Sequence, residues 1–397
     1  MTKFTIASFN VKNLIGPDQE YYPFESYTPE EYAWKEDWMA DQLLTMNADI
    51  VCFQEIFERA PLWNIVRETN ERGSFLNEAV IPDKSKRYHR KAIFDKLRYD
   101  SYGKSALVFA ANANDTEQPG RRRPGLAILS RFGFAEEPKV IQVLSKPMTI
   151  EFTDFDGSDA GSYTITKLSR PIMMARIQIG GETISVFNCH LKSKLGEFPR
   201  RDGAGSAAEA DLTNYDAYGR ALGEIRSAMR RMAEAAVLRS LIIDELAMGR
   251  PVLSLGDYND GEHSISSSVI AGERPFKNYA WMRRHDAENR SDRYSDAEDL
   301  QIRTDIEANQ LISAEKLFLR KSLRDVVYTS AFGGVHESID QILLSRHFHP
   351  ENPDRIGAME YFTTLNDHIT DGSHPEAPYN KLASDHGQIM AHITVRP

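Results

Sequence analysis

No apolar run in this 397-residue chain approaches the roughly 18 residues that mark a membrane-spanning helix. Its first residues, MTKFTIASFNVKNL, also lack the continuous apolar stretch and small-residue cleavage site of a secretory signal. Cysteine is nearly absent. Cys52 and Cys189 cannot make a disulfide framework, and each sits in strand-like apolar text (DIVCF, SVFNC) where a buried thiol is expected. These absences lead us to expect a cytoplasmic protein in a reducing compartment, with no membrane anchor. Positive charge is in short supply too: 48 Lys and Arg against 58 Asp and Glu leave a net charge of −10. That argues against a protein that coats nucleic acid through a uniformly basic surface, while leaving room for a local basic groove. No internal repeat, low-complexity tract or clear linker divides the chain, so one domain spanning 1–397 is expected.

What recurs along the chain is an apolar strand that breaks off in polar residues. Phe4 to Val11 reads as a short buried strand with Asn10 near its end. An acidic, aromatic stretch follows, and Pro17 and Pro23 make it an ordered loop over 18–27. Thr28-Pro29-Glu30-Glu31 then supplies an N-cap, a proline at the first helical position and acids in the first turn of a helix with Met39, Leu43 and Met46 on one face. Asp49 to Glu55 is a near-continuous apolar run of the kind found in sheets covered on both faces. Glu55 at its end is costly unless a metal ion or an arginine meets it.

Lys84, Lys86, Arg87, Arg90 and Lys91 read as a solvated face. Arg121-Arg122-Arg123, just before a strand at 126–130, is either a phosphate contact or plain surface charge. Alternation over 137–187 predicts a β-meander whose last strand puts Asn188 and His190 on one face, beside Lys192 and Lys194. His190 is then either a phosphate or leaving-group contact or a hydrogen-bonded structural histidine. A long helix should pack Tyr218, Leu222, Ile225, Met229, Met232 and Ala236 against a sheet, leaving Arg226, Arg230 and Arg231 in solvent.

The stretch Leu253 to Asp260 (LSLGDYND) concentrates the pattern. Gly256 permits a tight bend, and two-residue periodicity points Asp257 and Asn259 to the same side. A carboxylate that orients or deprotonates water, beside an amide that donates to an oxyanion, suits attack on phosphorus. The alternative is an Asx-rich turn closing a hairpin. Residues 261–320 are polar and helix-prone without metal-ligand spacing. Ser338 to Ser345 then reads as a strand with Asp340 near its start, and the Asp385-His386 pair precedes a C-terminal strand.

Taken in order, SFNVKNL, DIVCFQE, GLAILSR, FNCHLKSK, LGDYND, IDQILLS and SDHGQI span residues 8 to 390. This ordered set resembles the endonuclease/exonuclease/phosphatase superfamily, which includes deoxyribonuclease I, the exonuclease III type of abasic-site endonucleases, inositol polyphosphate 5-phosphatases and neutral sphingomyelinases. The resemblance implies an α/β (α+β) fold, a four-layer αββα sandwich of two mixed β-sheets flanked by helices. It also implies one metal-dependent site at the sheet ends, with insertions near 12–35, 83–123, 195–217 and 261–320. By the same resemblance Glu55, Asn10 and Asp385 lie at Mg²⁺, with Mn²⁺ as the alternative ion. Asp257 orients and deprotonates water. Asn10, Asn259, His190 and Lys192 contact the phosphate, and Asp340 fixes the tautomer of His386, which meets a nonbridging oxygen. Lys12 stands where some relatives carry an Asp, so a single dominant ion is expected. A hard cation held by few carboxylates is how Mg²⁺ is usually bound.

The implied function is a Mg²⁺-dependent hydrolase of phosphodiester bonds, a nuclease on DNA or RNA. The alternative is a phosphatase or phosphodiesterase on a phosphorylated sugar, inositol or lipid headgroup, which the acidic charge and the aromatic loop 18–27 would tolerate better. No basic amphipathic membrane helix supports the lipid case. A catalytically dead binding module would have lost at least one of these residues, and none is missing.

Overall fold

The structure is a computed structural model that describes residues 1–78, 98–153, 159–196, 198–199, 206–207, 216–272, 294–321, 327–374, 376, 380 and 382–396. The basic residues Lys84, Lys86, Arg87, Arg90 and Lys91, and parts of the expected insertions 83–123, 195–217 and 261–320, lie outside them.

Two six-stranded sheets form the centre. In spatial order the first runs β15 (Gly357–Leu365), β16 (Gln388–Val395), β1 (Thr2–Leu14), β2 (Ile50–Ile56), β4 (Gly125–Ser130) and β3 (Leu107–Ala110). The second runs β11 (Leu311–Ser313), β14 (Asp340–Ser345), β10 (Val252–Asp257), β7 (Glu182–His190), β6 (Asp159–Ile179) and β5 (Lys139–Thr153). Each sheet is mixed, with one parallel pair at its middle: β1 with β2, and β7 with β10. Two small hairpins, β8 (Phe198–Pro199) with β9 (Ser206–Ala207) and β12 (Ser330–Phe332) with β13 (Val335–Glu337), stand apart from them.

The sheets face one another through Phe4, Ile6, Ile50, Cys52, Ala175, Ile177, Val186, Leu253, Leu255 and Ile393. Outside the first sheet lie α1 (Pro29–Met46) and α2 (Arg59–Glu78), which bury Met39, Leu43, Met46, Leu62, Ile65 and Val66. Outside the second lie α3 (Ala217–Ala247) and α4 (Ile265–Ala271), with Leu238, Ile242 and Ile270 inward. Full burial of each such side chain contributes about 1.5–3 kcal/mol. The chain is therefore a helix–sheet–sheet–helix sandwich, as the superfamily resemblance implied. α5 (Asp296–Ala308) and α6 (Ala314–Leu319) complete the helices among the described residues. None of the helices is long and apolar enough to cross a membrane.

Local sequence accounts for several boundaries. Thr28 and Glu31 close a reciprocal capping box at the start of α1, and Asn47 ends it in the left-handed region at φ 43°. Cys52 and Cys189 are free and buried, as expected. Four readings need correction. Gly256 is not a bend: it lies within β10, paired with Cys189 and Gln341, and the strand ends one residue later. The first strand runs on to Leu14, past the proposed start of a loop insertion at 12. The polar region 261–320 contributes β11 to the second sheet. On α3 the inward face carries Gly219, Gly223, Ser227, Arg231, Glu234, Leu238 and Ile242, while Tyr218 and Ile225 are exposed. Arg231 is buried because Asp260 accepts from it at 3.0 Å and Lys192 O at 3.2 Å, so local ion pairing outweighed apolar periodicity.

Candidate active site

Strand register brings the polar strand ends together. Asn10 lies opposite Gln54 in the parallel β1–β2 pair, so Asn10 and Glu55 leave the first sheet at the same edge. In the second sheet Asp257 pairs with both His190 and Asp340, because β7 runs parallel to β10 and β14 antiparallel. β16 runs antiparallel to β1 with Ile389 opposite Ser8, which sets the preceding Asp385-His386 beside Asn10. Ser384 fastens that junction: its hydroxyl donates to Asn10 O at 2.6 Å and accepts from His386 N at 3.0 Å.

Irregular backbone aims two of these residues. Glu55 has φ 65°, and the pairing of β2 with both β1 and β4 shifts register around it. Lys12 and Asn13, at φ 53° and 58°, form the matching irregularity in β1. Such bulges re-aim side chains at strand ends, and here the Glu55 carboxylate accepts from Asn13 N at 3.0 Å and from the Asn10 amide at 3.3 Å. Asn259, at φ 52°, lies beyond the end of β10, so a turn and not strand periodicity brings it to Asp257. Asp257 Oδ1 accepts from Asn259 N at 2.7 Å, and Asn259 Nδ2 stands 3.3 Å from Asp257 Oδ2. The Asx turn and the cluster of polar site residues are the same object.

Asn10 Nδ2 occupies the centre. It donates to Asp257 Oδ2 at 3.0 Å and lies 3.4 Å from His386 Nε2. His190 Nε2 is 3.2 Å from Asp257 Oδ2 and 4.0 Å from Glu55 Oε1. His386 Nδ1 is 2.8 Å from Asp340 Oδ2. Burial alone would raise the Asp257 carboxyl, but the charges of His190 and His386 outweigh it and hold this group well below the carboxylate range. The same balance runs the other way at His386. Desolvation lowers it, yet Asp340 and Asp257 raise it well above an ordinary histidine. Asp340 is itself raised by burial, against the pull of His386. These charges favour an ionised Asp257, which is buried, beside a protonated His386, which is partly exposed.

Asp257, Asp340 and His386 offer ligand atoms within 4.8 Å of one another, a set that could hold a metal ion. One ring nitrogen of His386, Nδ1, is already committed to Asp340. The donors that better suit a hard cation are oxygens. Glu55 Oε1 and Asp257 Oδ2 both face the Asn10 amide and the His190 ring, so two carboxylate oxygens from opposite sheets converge on one point. Such a pair of oxygen donors could hold a divalent cation. For Asn10 to ligate with its oxygen, the amide must turn, since Oδ1 now accepts from Lys12 N at 3.0 Å.

Of the expected site residues, the structure brings Asn10, Glu55, His190, Asp257, Asn259, Asp340 and His386 together. Asp385 is at the margin, exposed, with Lys12 Nζ 3.9 Å away. Lys192 is not turned toward the cluster: its ammonium donates to Ser193 O, Ser193 Oγ and Leu195 O, within its own loop. Burial and then Arg170 lower it to about 8. Lys35 went unread. It is fully buried in α1, and its ammonium donates to Val11 O at 2.9 Å and Leu382 O at 3.1 Å, tying the Asn10 and His386 segments together from behind. Nothing in the helical pattern distinguished it from a surface lysine.

No known protein family matches the chain by sequence, and no curated protein does. Similar solved structures exist. An endonuclease/exonuclease/phosphatase family protein from Leptotrichia buccalis, named for the group that the sequence motifs resemble, aligns over 98% of this chain and 99% of its own, at 11% identity and a TM-score of 0.43. The human nocturnin catalytic domain with bound sulfate is 12% identical over 99% of this chain and 95% of its own, at 0.43. A mannosyl-6-phosphatase from Bacteroides thetaiotaomicron is 11% identical over 98% and 99%, at 0.41. Likeness of this degree says nothing of what this chain acts on.

Proposed function

We propose that the chain is a divalent-metal-dependent phosphoesterase that cleaves phosphodiester bonds by attack of water on phosphorus, with nucleic acid as substrate. The observation that carries this reading is the meeting, across two sheets, of Asp257 and the Asp340-bound His386 around the Asn10 amide. Asp257 orients the attacking water and takes its proton. With its carboxyl held low it remains ionised at neutral pH, and its contribution is alignment more than basicity. His386, locked by Asp340 through Nδ1, presents Nε2 as a charged donor to the phosphoryl oxygens as negative charge develops there. Asn10, Asn259 and His190 complete the cradle. Glu55, with Asn10 and Asp385, would hold Mg²⁺ or Mn²⁺. Such an ion, when bound, neutralises phosphoryl charge and assists the leaving oxygen.

The test is a substrate panel of plasmid, single-stranded DNA, RNA and bis-p-nitrophenyl phosphate, each with Mg²⁺ and with EDTA. Metal-dependent cleavage that disappears in Asp257→Ala is expected. Cleavage of none, by wild type and variant alike, overturns the enzyme reading. Turnover of the small diester alone redirects it to small phosphoesters.

A further inference from the structure

A cleft of about 460 Å³ opens between the loop after β1 and the segment that joins β3 to β4. Tyr22, Pro23, Asn114, Gln118, Arg121 and Arg123 line it, and no acidic side chain does so among the described residues. The middle arginine of the triplet builds the wall. Arg122 is buried, donating through Nε to Asp115 at 3.1 Å and through Nη1 to Gln19 at 3.2 Å. Its backbone N–H donates to Tyr21 O at 3.0 Å, and Gly120 N donates to Glu20 O at 2.9 Å, so the two segments are laced together. With Arg122 turned inward, Arg121 and Arg123 are exposed, and neither guanidinium has an ion pair or hydrogen bond among the described residues. Two of the nearby acids are engaged elsewhere: Glu20 accepts from Phe24 N at 2.7 Å and Asp115 is paired with Arg122.

Both walls are tied to the strand ends described above. Tyr22 packs edge-on to Phe57, two residues after Glu55, with ring centroids 6.2 Å apart. Asn114 donates to Leu168 O at 3.0 Å, and Arg170, two residues further on, donates to Leu191 O, directly after His190. The charges of Glu55, Arg170 and Arg123 all act on the Tyr22 hydroxyl. The two arginines of the cleft therefore stand on segments that lead to the Asn10–Asp257 centre.

We propose that this cleft is a second anion subsite, in which Arg121 and Arg123 hold another phosphate of the same nucleic-acid strand and Tyr22 with Pro23 forms the apolar wall beside its sugar and base. The assignment rests on the phosphodiesterase reading for its substrate and on the cleft for its position. Two charge-assisted contacts of this kind add affinity without reading sequence.

The experiment separates binding from turnover. A short fluorescein-labelled single strand is titrated by anisotropy in EDTA, against wild type, Arg121→Ala/Arg123→Ala and Arg121→Lys/Arg123→Lys. The alanine pair should weaken binding about tenfold or more and flatten the salt dependence by about 0.7 per charge removed, and the lysine pair should recover most of both. With Mg²⁺, kcat/KM on the strand relative to bis-p-nitrophenyl phosphate should fall by at least about tenfold in the alanine pair. Binding within about twofold of wild type, or an unchanged ratio between the two substrates, overturns the subsite. If wild type binds the strand through the arginines yet hydrolyses nothing, the phosphodiesterase reading fails and the subsite stands. Hydrolysis with no arginine dependence gives the converse.

Discussion

Asp257 divides its carboxylate between two tasks. Oδ1 closes the turn to Asn259 N, and Oδ2 faces Asn10 and His190. Asp257→Asn should keep the turn, because its remaining oxygen can still accept from Asn259, while the new amide meets the Asn10 donor and the His190 ring nitrogen. Hydrolysis should drop by about 10²–10⁴; a rate near wild type would remove Asp257 from the mechanism. Asp340 acts at one remove, by keeping His386 charged. In Asp340→Asn the alkaline limb of the pH–rate profile should move to lower pH, since the imidazolium loses its strongest supporting charge. Stability follows the same sign. A raised histidine contributes fully below its unfolded value near 6.5 and loses that contribution as pH rises through the folded one. Urea midpoints of the two proteins should therefore converge at the alkaline end of that range. The residue types at this scale were legible because each stands where an apolar strand stops. Asn259 reached the cluster by a left-handed turn that periodicity could not describe, and the turn of the Lys192 ammonium to the carbonyls of its own loop had no sequence signal.

The elements that carry these residues depend on close backbone approach. At Gly256, φ is 142° and a Cβ would stand 1.9 Å from Cys189 O, against the paired strand β7. Gly256→Ala should destabilise the fold by about 3 kcal/mol or more, read as a lower urea midpoint, because neither the angle nor the neighbour can give. An alanine protein as stable as wild type would contradict that packing. α1 contributes a different device. Burial and then Lys12 lower Lys35 from 10.5 to about 7. The unfolded chain therefore binds more protons than the folded one between those values, and stability should rise with pH across that window. Lys35→Met should abolish this slope relative to wild type, measured as urea midpoints at pH 7 and at about pH 10. An identical slope in both would mean that Lys35 is not desolvated as found. α1 and the main strands could be read from capping and apolar runs. The inward face of α3 could not, because Arg231 and Glu234 pack through ion pairs and hydrogen bonds that a hydrophobicity pattern ignores. β11 and β15 escaped for a related reason: three residues, or a strand with half-exposed positions at its end, give too short or too mixed a period.

At the scale of the molecule, the layers were legible only through the ordered motifs from residue 8 to residue 390 and the superfamily they resemble. What holds the two sheets in mutual register was not. Asn188, wholly buried on β7, accepts from Gln54 Nε2 at 2.8 Å and donates to Phe53 O at 3.0 Å and Ala127 O at 2.9 Å, all on the opposite sheet. Asn10 and Glu55 leave one sheet and His190 and Asp257 the other, so this clamp sets the distance across which they meet. Asn188→Leu strands several buried polar groups at about 1–3 kcal/mol each, so a loss of roughly 3–5 kcal/mol is expected. Activity should fall as well, since a displacement near 1 Å between reacting groups costs on the order of a hundredfold. Adding Gln54→Leu removes the orphaned amide partner. The double variant should therefore lose less stability than the two single losses together, by about 0.5–3 kcal/mol of coupling, while its activity stays low because the inter-sheet register is still unpinned. Strict additivity of the two stabilities, or recovery of activity in the double variant, would mean that the amide pair fills space in the core without setting the geometry of the site.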